Sequence, residues 1–250
     1  MTLRIPLSRI GPVQLEDVEH SGNEIHNEYA RTCTVLQGDP PKSSIGDDAP
    51  YRIADLFGCE WGTWNRQFVV QVAGCPLKCW YCYVDNLEPD TEFSIGELVK
   101  MYAEFKKKCP DINVFHLMGG CPGEYAKLWP VLRTYLDAEG YENDVLLTDV
   151  ILLENYFYQV KPWNYIPHRT IVSACLKGTN RGNFKKNTGL DLFCEATREL
   201  FNYTNPQVYF SLIEWDDIDR ELVSSVLMGR VNWLKVKEYE VVKQRNKGKL

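Results

Sequence analysis

Residues 67–82 read QFVVQVAGCPLKCWYC. The opening QFVVQVA is rich in valine and predicts a β-strand that ends at Gly74. The loop after it carries Cys75, Cys79 and Cys82 with the spacing C-x3-C-x2-C, and no other cysteine lies at a matching offset. A structural zinc site takes four ligands, and a [4Fe-4S] cluster usually takes four thiolates. Three thiolates around such a cluster would leave one iron open for chemistry.

Strand-like and helix-like segments alternate through the rest of the chain. Ser94 and Glu97 have the spacing of a capping box and predict the start of the first helix, and Pro110 predicts its end. Because each connection between strands carries a helix, we expect the strands to be parallel. The predicted strands cover residues 67–73, 112–118, 144–153, 170–176, 207–213 and 231–236. The later helices are predicted over residues 128–137, 190–201 and 218–226.

These alternating units predict an α/β fold, namely a partial (β/α)6 TIM-like barrel that stays open, rather than a closed eight-stranded barrel. Residues 1–60 are polar and contain Gly- and Pro-rich turns, so they predict an irregular N-terminal extension. Residues 61–250 are then expected to form the core domain. Chemistry in such barrels gathers at the C-terminal ends of the strands, which is where the cysteine loop is expected.

The composition argues against several classes of function. Of 250 residues, 28 are basic and 34 are acidic, which gives a net charge of −6. This balance argues against a broad surface for nucleic acid or membrane. The first residues lack the apolar core of a signal peptide, and no apolar run approaches the ~18 residues of a membrane span. We therefore expect a soluble, cytoplasmic protein with neither a membrane nor a nucleic acid as its partner.

The nine cysteines do not predict a disulfide framework, since an odd number cannot all pair within one chain. A zinc site at the triad would need a fourth ligand, and none of the four histidines has finger-like spacing to it. Clustered thiolates also select copper(I) and iron–sulfur clusters. A non-catalytic zinc or iron–sulfur binding module therefore stays open as an alternative to an enzyme.

Two further strand ends carry candidate residues. Residues 119–122 read GGCP at the end of the second predicted strand, where glycines permit a close backbone approach. Ser173 and Lys177 lie near the end of the fourth predicted strand and offer a hydroxyl and an ammonium group to a ribose or a carboxylate. The candidate cofactor-binding residues are Tyr81, Gly119, Gly120, Cys121, Pro122, Ser173 and Lys177, and the catalytic residues stay unassigned.

The spacing C-x3-C-x2-C, with the aromatic Tyr81 before the last cysteine, resembles the cluster motif of the radical S-adenosylmethionine (radical SAM) superfamily across about residues 66–236. The resemblance implies that Cys75, Cys79 and Cys82 bind three irons of a [4Fe-4S] cluster. The open iron would chelate the amino and carboxylate groups of S-adenosylmethionine. An electron donor such as flavodoxin or ferredoxin would drive reductive cleavage to methionine and a 5′-deoxyadenosyl radical, which abstracts a hydrogen atom.

Two shorter resemblances extend this interpretation. Residues 119–122 resemble the family's Gly-Gly-Glu-Pro, whose backbone meets the methionine amino group, with Cys121 in place of the glutamate. Residues 65–82 resemble the opening of the glycyl-radical-enzyme activases, which implies a protein partner that receives the radical. The alternative within the superfamily is a modifier of a small molecule, a peptide or an RNA.

Overall fold

The computed structural model describes residues 3–11, 25–37, 56–57, 63–82, 84, 88–151, 161–191, 205–213, 223 and 231–234. Nine strands in this part of the chain form one sheet. The strands are β1 Arg4–Leu7, β2 Ala30–Gln37, β3 Thr63–Val72, β4 Thr91–Ser94, β5 Ile112–Gly119, β6 Val145–Ile151, β7 Thr170–Leu176, β8 Val208–Ile213 and β9 Val231–Leu234. The α-helices are α1 Ile95–Lys108, α2 Trp129–Ala138 and α3 Arg181–Thr188. Two 3₁₀ segments span Pro122–Leu128 and Pro162–Tyr165.

Six parallel strands form the body of the sheet, in the order β3-β5-β6-β7-β8-β9. They correspond to the six predicted strands, so the prediction of an α/β fold with parallel strands is confirmed. Neighbours in the sheet follow one another along the chain, as expected when helical crossovers join consecutive parallel strands. Within the described ranges, no pairing joins β9 back to β3, so the strand pairing does not close a barrel.

The N-terminal extension supplies two strands, although we predicted it to be irregular. β2 pairs antiparallel with β3, with Ala30 opposite Val70, and β1 pairs with both β3 and β4. Pro6 weakens the strand pattern of β1, yet its carbonyl accepts a hydrogen bond of 3.0 Å from the Ala73 N–H. The extension therefore covers the outer edge of β3, the strand that leads into the cysteine loop.

Helices α1 and α2 cover one face of the sheet. The predicted capping box is confirmed, since the Glu97 N–H donates to Ser94 Oγ (3.3 Å) and the Ser94 N–H donates to Glu97 Oε2 (2.7 Å). Successive side chains of a strand alternate between faces, and the face towards these helices carries the main apolar core. Its largest fully buried side chains include Phe68, Tyr102, Phe115, Trp129 and Phe210.

Helix α3 was missed by the sequence analysis, because its residues are polar and Gly182 lies inside it. Asn180 and Asn183 form a capping box at its start, and Gly189 ends it with a φ of 73°. The helix predicted over residues 190–201 lies outside the described residues from position 192 onward, and the one predicted over 218–226 lies outside them except for Val223. Among the described residues, every helix is too short or too polar to cross a membrane.

Candidate metal centre

The cysteine loop follows β3 at the C-terminal end of that strand and lies beside the end of β5. Cys75, Cys79 and Cys82 are free thiols, and all three contact the same small apolar cluster. Cys79 is buried and the other two are partly exposed. The apolar members of this cluster are Leu77, Trp80, Tyr81, Ile151, Phe184 and Leu190. The three predicted ligands therefore all lie at the same small apolar cluster.

The Gly-Gly turn after β5 packs against the backbone that enters the cysteine loop. Val72 and Gly119 are register partners, and the Gly120 N–H donates to the Val72 carbonyl at 2.8 Å. Gly119 has a φ of +105°, which favours glycine. A Cβ on Gly120 would lie 1.8 Å from the Gly74 carbonyl oxygen. The two glycines therefore allow the ends of β3 and β5 to touch.

Cys121 brings a fourth thiol to the triad. It is fully buried, belongs to the same apolar cluster as Cys79, and its side chain hydrogen-bonds with Cys75. That hydrogen bond is the main reason why the pKa of Cys75 is lowered to about 7, against the opposing effect of burial. The sequence analysis had placed Cys121 among the cofactor-binding candidates, but it did not predict the direct contact with Cys75, which depends on the pairing of β3 with β5. Pro122 follows it and begins the 3₁₀ segment.

Helix α3 holds the other side of the cysteine loop. The Lys78 and Trp80 N–H groups donate to the carbonyls of Thr188 (3.3 Å) and Asn187 (3.2 Å). The Asn187 side chain accepts from Trp80 Nε1 at 3.0 Å and donates to the Lys177 carbonyl at 2.9 Å. Asn187 thus ties the loop to the end of β7. The sequence analysis missed this residue, although the Asn180 cap and Gly189 are recognisable helix boundaries.

Lys177 places a cation beside the thiols. Its Nζ lies 5.6 Å from the centroid of the Tyr81 ring, within the range of a cation–π contact. Burial alone lowers the pKa of Lys177, but the neighbouring Tyr81, Cys79, Cys175 and Cys75 side chains outweigh it and raise that pKa above its ordinary value. Burial also raises the pKa of Tyr81 and that of Cys79. The ammonium form of Lys177 is therefore favoured, and it would offset negative charge if the cysteines bound a metal group as thiolates.

The donor set fits a thiolate-bound metal group. Free thiols in an apolar surrounding, with one cation beside them, suit zinc, copper(I) or an iron–sulfur cluster. Iron–sulfur clusters are held by cysteine thiolates, so the triad fits the [4Fe-4S] cluster that the sequence resemblance implies. Within the described part of the chain, no three His, Cys, Asp or Glu side chains converge on a point where one metal ion would sit.

Comparison with known proteins does not assign the chain to a family. No family model matches the chain, and no curated protein matches its sequence.

The face of the sheet opposite α1 and α2 changes from apolar to polar along four strands. Apolar side chains come first, among them Val114 and Leu147, and the residue two positions later on each strand is polar. The successive pairs are Val114 and His116, Leu147 and Asp149, Ile171 and Ser173, and Tyr209 and Ser211. The polar side chains therefore form one staggered row across β5, β6, β7 and β8, since His116 is the register partner of Leu147 and Ser173 that of Tyr209.

Hydrogen bonds connect neighbours in this polar row. The distance from His116 Nδ1 to Gln67 Oε1 is 3.0 Å, and the distance from His116 Nε2 to Asp149 Oδ1 is 3.5 Å. Ser173 is buried, and its Oγ lies 2.8 Å from Ser211 Oγ. Ser173 is therefore within the sheet face, while Lys177 lies beyond the strand end, beside the cysteine loop. The sequence analysis did not predict that His116 and Asp149 lie next to each other, because their contact depends on the pairing of β5 with β6.

Proposed function

We propose that this chain is a radical SAM enzyme built on a partial (β/α)6 barrel. The observation that carries the proposal is the contact between two loops at neighbouring strand ends. The loop after β3 presents Cys75, Cys79 and Cys82. The end of β5 and the loop after it present Gly119 and Gly120, whose backbone packs on the base of the cysteine loop. A three-thiolate loop beside a glycine turn is the arrangement that the sequence resemblance led us to expect.

The side chains around the loop have separable roles in this proposal. Cys75, Cys79 and Cys82 would hold the [4Fe-4S] cluster, which when bound supplies the electron that cleaves S-adenosylmethionine. Helix α3 fixes the loop through Asn187. Lys177 keeps a positive charge at the site and is available to a carboxylate ligand.

We propose that the polar row binds either the substrate or the nucleoside part of S-adenosylmethionine. The His116–Asp149 and Ser173–Ser211 pairs carry hydrogen-bonding groups on the face opposite α1 and α2. Hydroxyl and imidazole groups suit a polar ligand, since ligand sites place a few polar groups within an apolar wall. The apolar wall here includes Ile151 and Leu147. This surface is expected to position the hydrogen atom that is abstracted.

A second candidate is favoured by one specific observation. Cys121 contacts Cys75, so a fourth thiol lies in the region of the triad and is a candidate fourth ligand for a four-cysteine zinc or iron–sulfur site. Such a site would leave no open iron and would be structural. The two candidates therefore differ in whether Cys121 is needed to bind the metal.

Anaerobic reconstitution of the native chain and the Cys121→Ala and Cys79→Ala variants separates the candidates. A radical SAM site predicts about four irons and four sulfides per chain in both the native protein and Cys121→Ala, and a loss of cluster in Cys79→Ala. Addition of S-adenosylmethionine should change the electron paramagnetic resonance spectrum of the reduced cluster. A zinc-loaded native protein, or an iron spectrum that S-adenosylmethionine leaves unchanged, would contradict the proposal.

The narrower proposal is an activase that makes a glycyl radical on a protein partner, as residues 65–82 suggest. It predicts that the substrate is a folded protein and that flavodoxin or ferredoxin supplies the electron. A radical signal on an added glycyl-radical enzyme, measured after anaerobic incubation with the loaded protein and S-adenosylmethionine, would support it. Turnover of a free small molecule, peptide or RNA would instead support the modifier alternative.

A further inference from the structure

Cys75 and Cys121 are brought together by the backbone. Each follows a glycine, and these two glycines are in contact, because a Cβ on Gly120 would lie 1.8 Å from the Gly74 carbonyl oxygen. The register partners Val72 and Gly119 and the 2.8 Å bond from the Gly120 N–H to the Val72 carbonyl fix the same junction. The side chains that follow therefore meet, and the two thiols hydrogen-bond.

The two cysteines differ in their exposure to solvent, and this difference gives them different roles in an oxidation. Cys75 is partly exposed, so it is the member of the pair that is nearer to solvent. Cys121 is fully buried. An exposed cysteine that is oxidised first, beside a second cysteine that resolves it, is the arrangement of a reversible thiol switch.

We propose that Cys75 and Cys121 form a reversible disulfide when no metal is bound, which removes one ligand from the triad. A hydroperoxide is the oxidant. Cys75–SH and ROOH give Cys75–SOH and ROH, and Cys121–SH then displaces water to form the S–S bond. A dithiol reductant takes up the two oxidising equivalents and returns both thiols. The inference does not rest on the proposed function, because the same pair would block a zinc site or a cluster.

The alternative pairing lies within the triad itself. Cys79 and Cys82 have C-x2-C spacing, and the Cys82 N–H donates to the Cys79 carbonyl at 3.1 Å, so their backbones are also close. That pairing would leave Cys121 reduced. Trypsin separates the two possibilities, because Lys78 lies between Cys75 and the other two cysteines of the loop.

The test uses the full-length chain after chelation of metal and complete reduction. It is treated with one equivalent of hydrogen peroxide, alkylated, digested with trypsin and analysed by mass spectrometry without reduction. We expect residues 67–78 to be linked to residues 109–127, with fragment ions that place the bond at Cys121 rather than at Cys109. Dithiothreitol should abolish the linked species and restore iron uptake to its untreated level.

Matched variants complete the test. Cys121→Ser should lose the linked species, and Cys175→Ala, which removes a partly exposed cysteine on β7, should keep it. Circular dichroism identifies a variant that does not fold. In that case the native chain alone still decides whether Cys75 and Cys121 form the disulfide. A bond between Cys79 and Cys82 with Cys121 alkylated, or no disulfide at all, would overturn the proposal. Neither result depends on cleavage of S-adenosylmethionine, so a failure here and a failure of the proposed function are distinguishable.

Discussion

Gly74 and Gly120 are in backbone contact where β3 and β5 end, and a Cβ on Gly120 would lie 1.8 Å from the Gly74 carbonyl oxygen. The three nearest obstructing atoms, the Gly74 carbonyl oxygen and carbon and the Val72 carbonyl oxygen, all belong to the backbone. A side chain cannot be accommodated there by a rotamer change. The contact therefore sets the distance between the cysteine loop and the turn that carries Cys121.

Gly120→Ala is expected to damage both stability and metal binding. The added methyl group forces the two strand ends apart, at a cost of about 3 kcal/mol. Urea unfolding and iron content after reconstitution measure the two effects. Gly96→Ala is the matched control, because a Cβ there meets only Tyr135 at 3.6 Å within a helix, and it should raise stability by about 0.5–1 kcal/mol. Equal stability of the two variants would show that the contact does not constrain the loop.

Asn187→Ala should loosen the cysteine loop. The substitution removes the hydrogen bonds to Trp80 Nε1 (3.0 Å) and to the Lys177 carbonyl (2.9 Å) and leaves those groups without their partner. We expect a loss of about 2 kcal/mol in the free energy of unfolding and faster transfer of metal to a competing chelator. Asn143→Ala, at an exposed turn position, should change neither quantity. If a folded Asn187→Ala protein transferred its metal to the chelator at the native rate, Asn187 would not hold the cysteine loop in place.

Lys177→Met should weaken binding of S-adenosylmethionine while cluster content stays near the native level. The substitution keeps much of the side-chain volume but removes the ammonium group beside the site. Loss of one charge-assisted hydrogen bond, worth about 1.5 kcal/mol, corresponds to about a tenfold increase in Kd. Equilibrium binding to the reconstituted protein measures it, and Lys186→Met on the exposed side of α3 is the control. An unchanged Kd would remove Lys177 from the cofactor site.

Stability should depend on pH through the cap of α1. The backbone and side chain of Ser94 hydrogen-bond Glu97 and hold the pKa of its carboxyl below the ordinary value. A lowered folded-state pKa means that this contribution is present above the unfolded pKa of about 4.3 and is lost as the pH falls through the folded pKa. Glu97→Gln should therefore lower Tm at pH 7, and its difference from the native protein should shrink as the solution is acidified towards about pH 3. A difference that is the same at both pH values would contradict this assignment.

The sequence predicted the parts of this fold that local pattern determines. Valine-rich runs predicted β3 and its parallel neighbours, and the Ser94–Glu97 spacing predicted the start of α1. The strand β1 was missed because four residues that include a proline give little periodicity. Helix α3 was missed because Phe184 is its only large apolar residue, and the helix is held by capping and by contacts with the cysteine loop.

The candidate site was predictable only in part, for a related reason. Cys75, Cys79 and Cys82 are close in sequence, so their spacing alone brings them together. The contact between Cys75 and Cys121 depends on the register that pairs Val72 with Gly119. That register is a property of the folded sheet and cannot be read from the sequence. The pair of His116 and Asp149 depends in the same way on the pairing of β5 with β6.

The most direct measurement of the central claim is the formation of 5′-deoxyadenosine. The anaerobically reconstituted native chain is incubated with dithionite and S-adenosylmethionine, and the products are separated by chromatography and identified by mass. We predict 5′-deoxyadenosine and methionine from the native protein and from Cys109→Ala, a buried cysteine at the end of α1, and neither product from Cys79→Ala. A native protein that carries its full iron and sulfide content and yields no 5′-deoxyadenosine would contradict the assignment as a radical SAM enzyme.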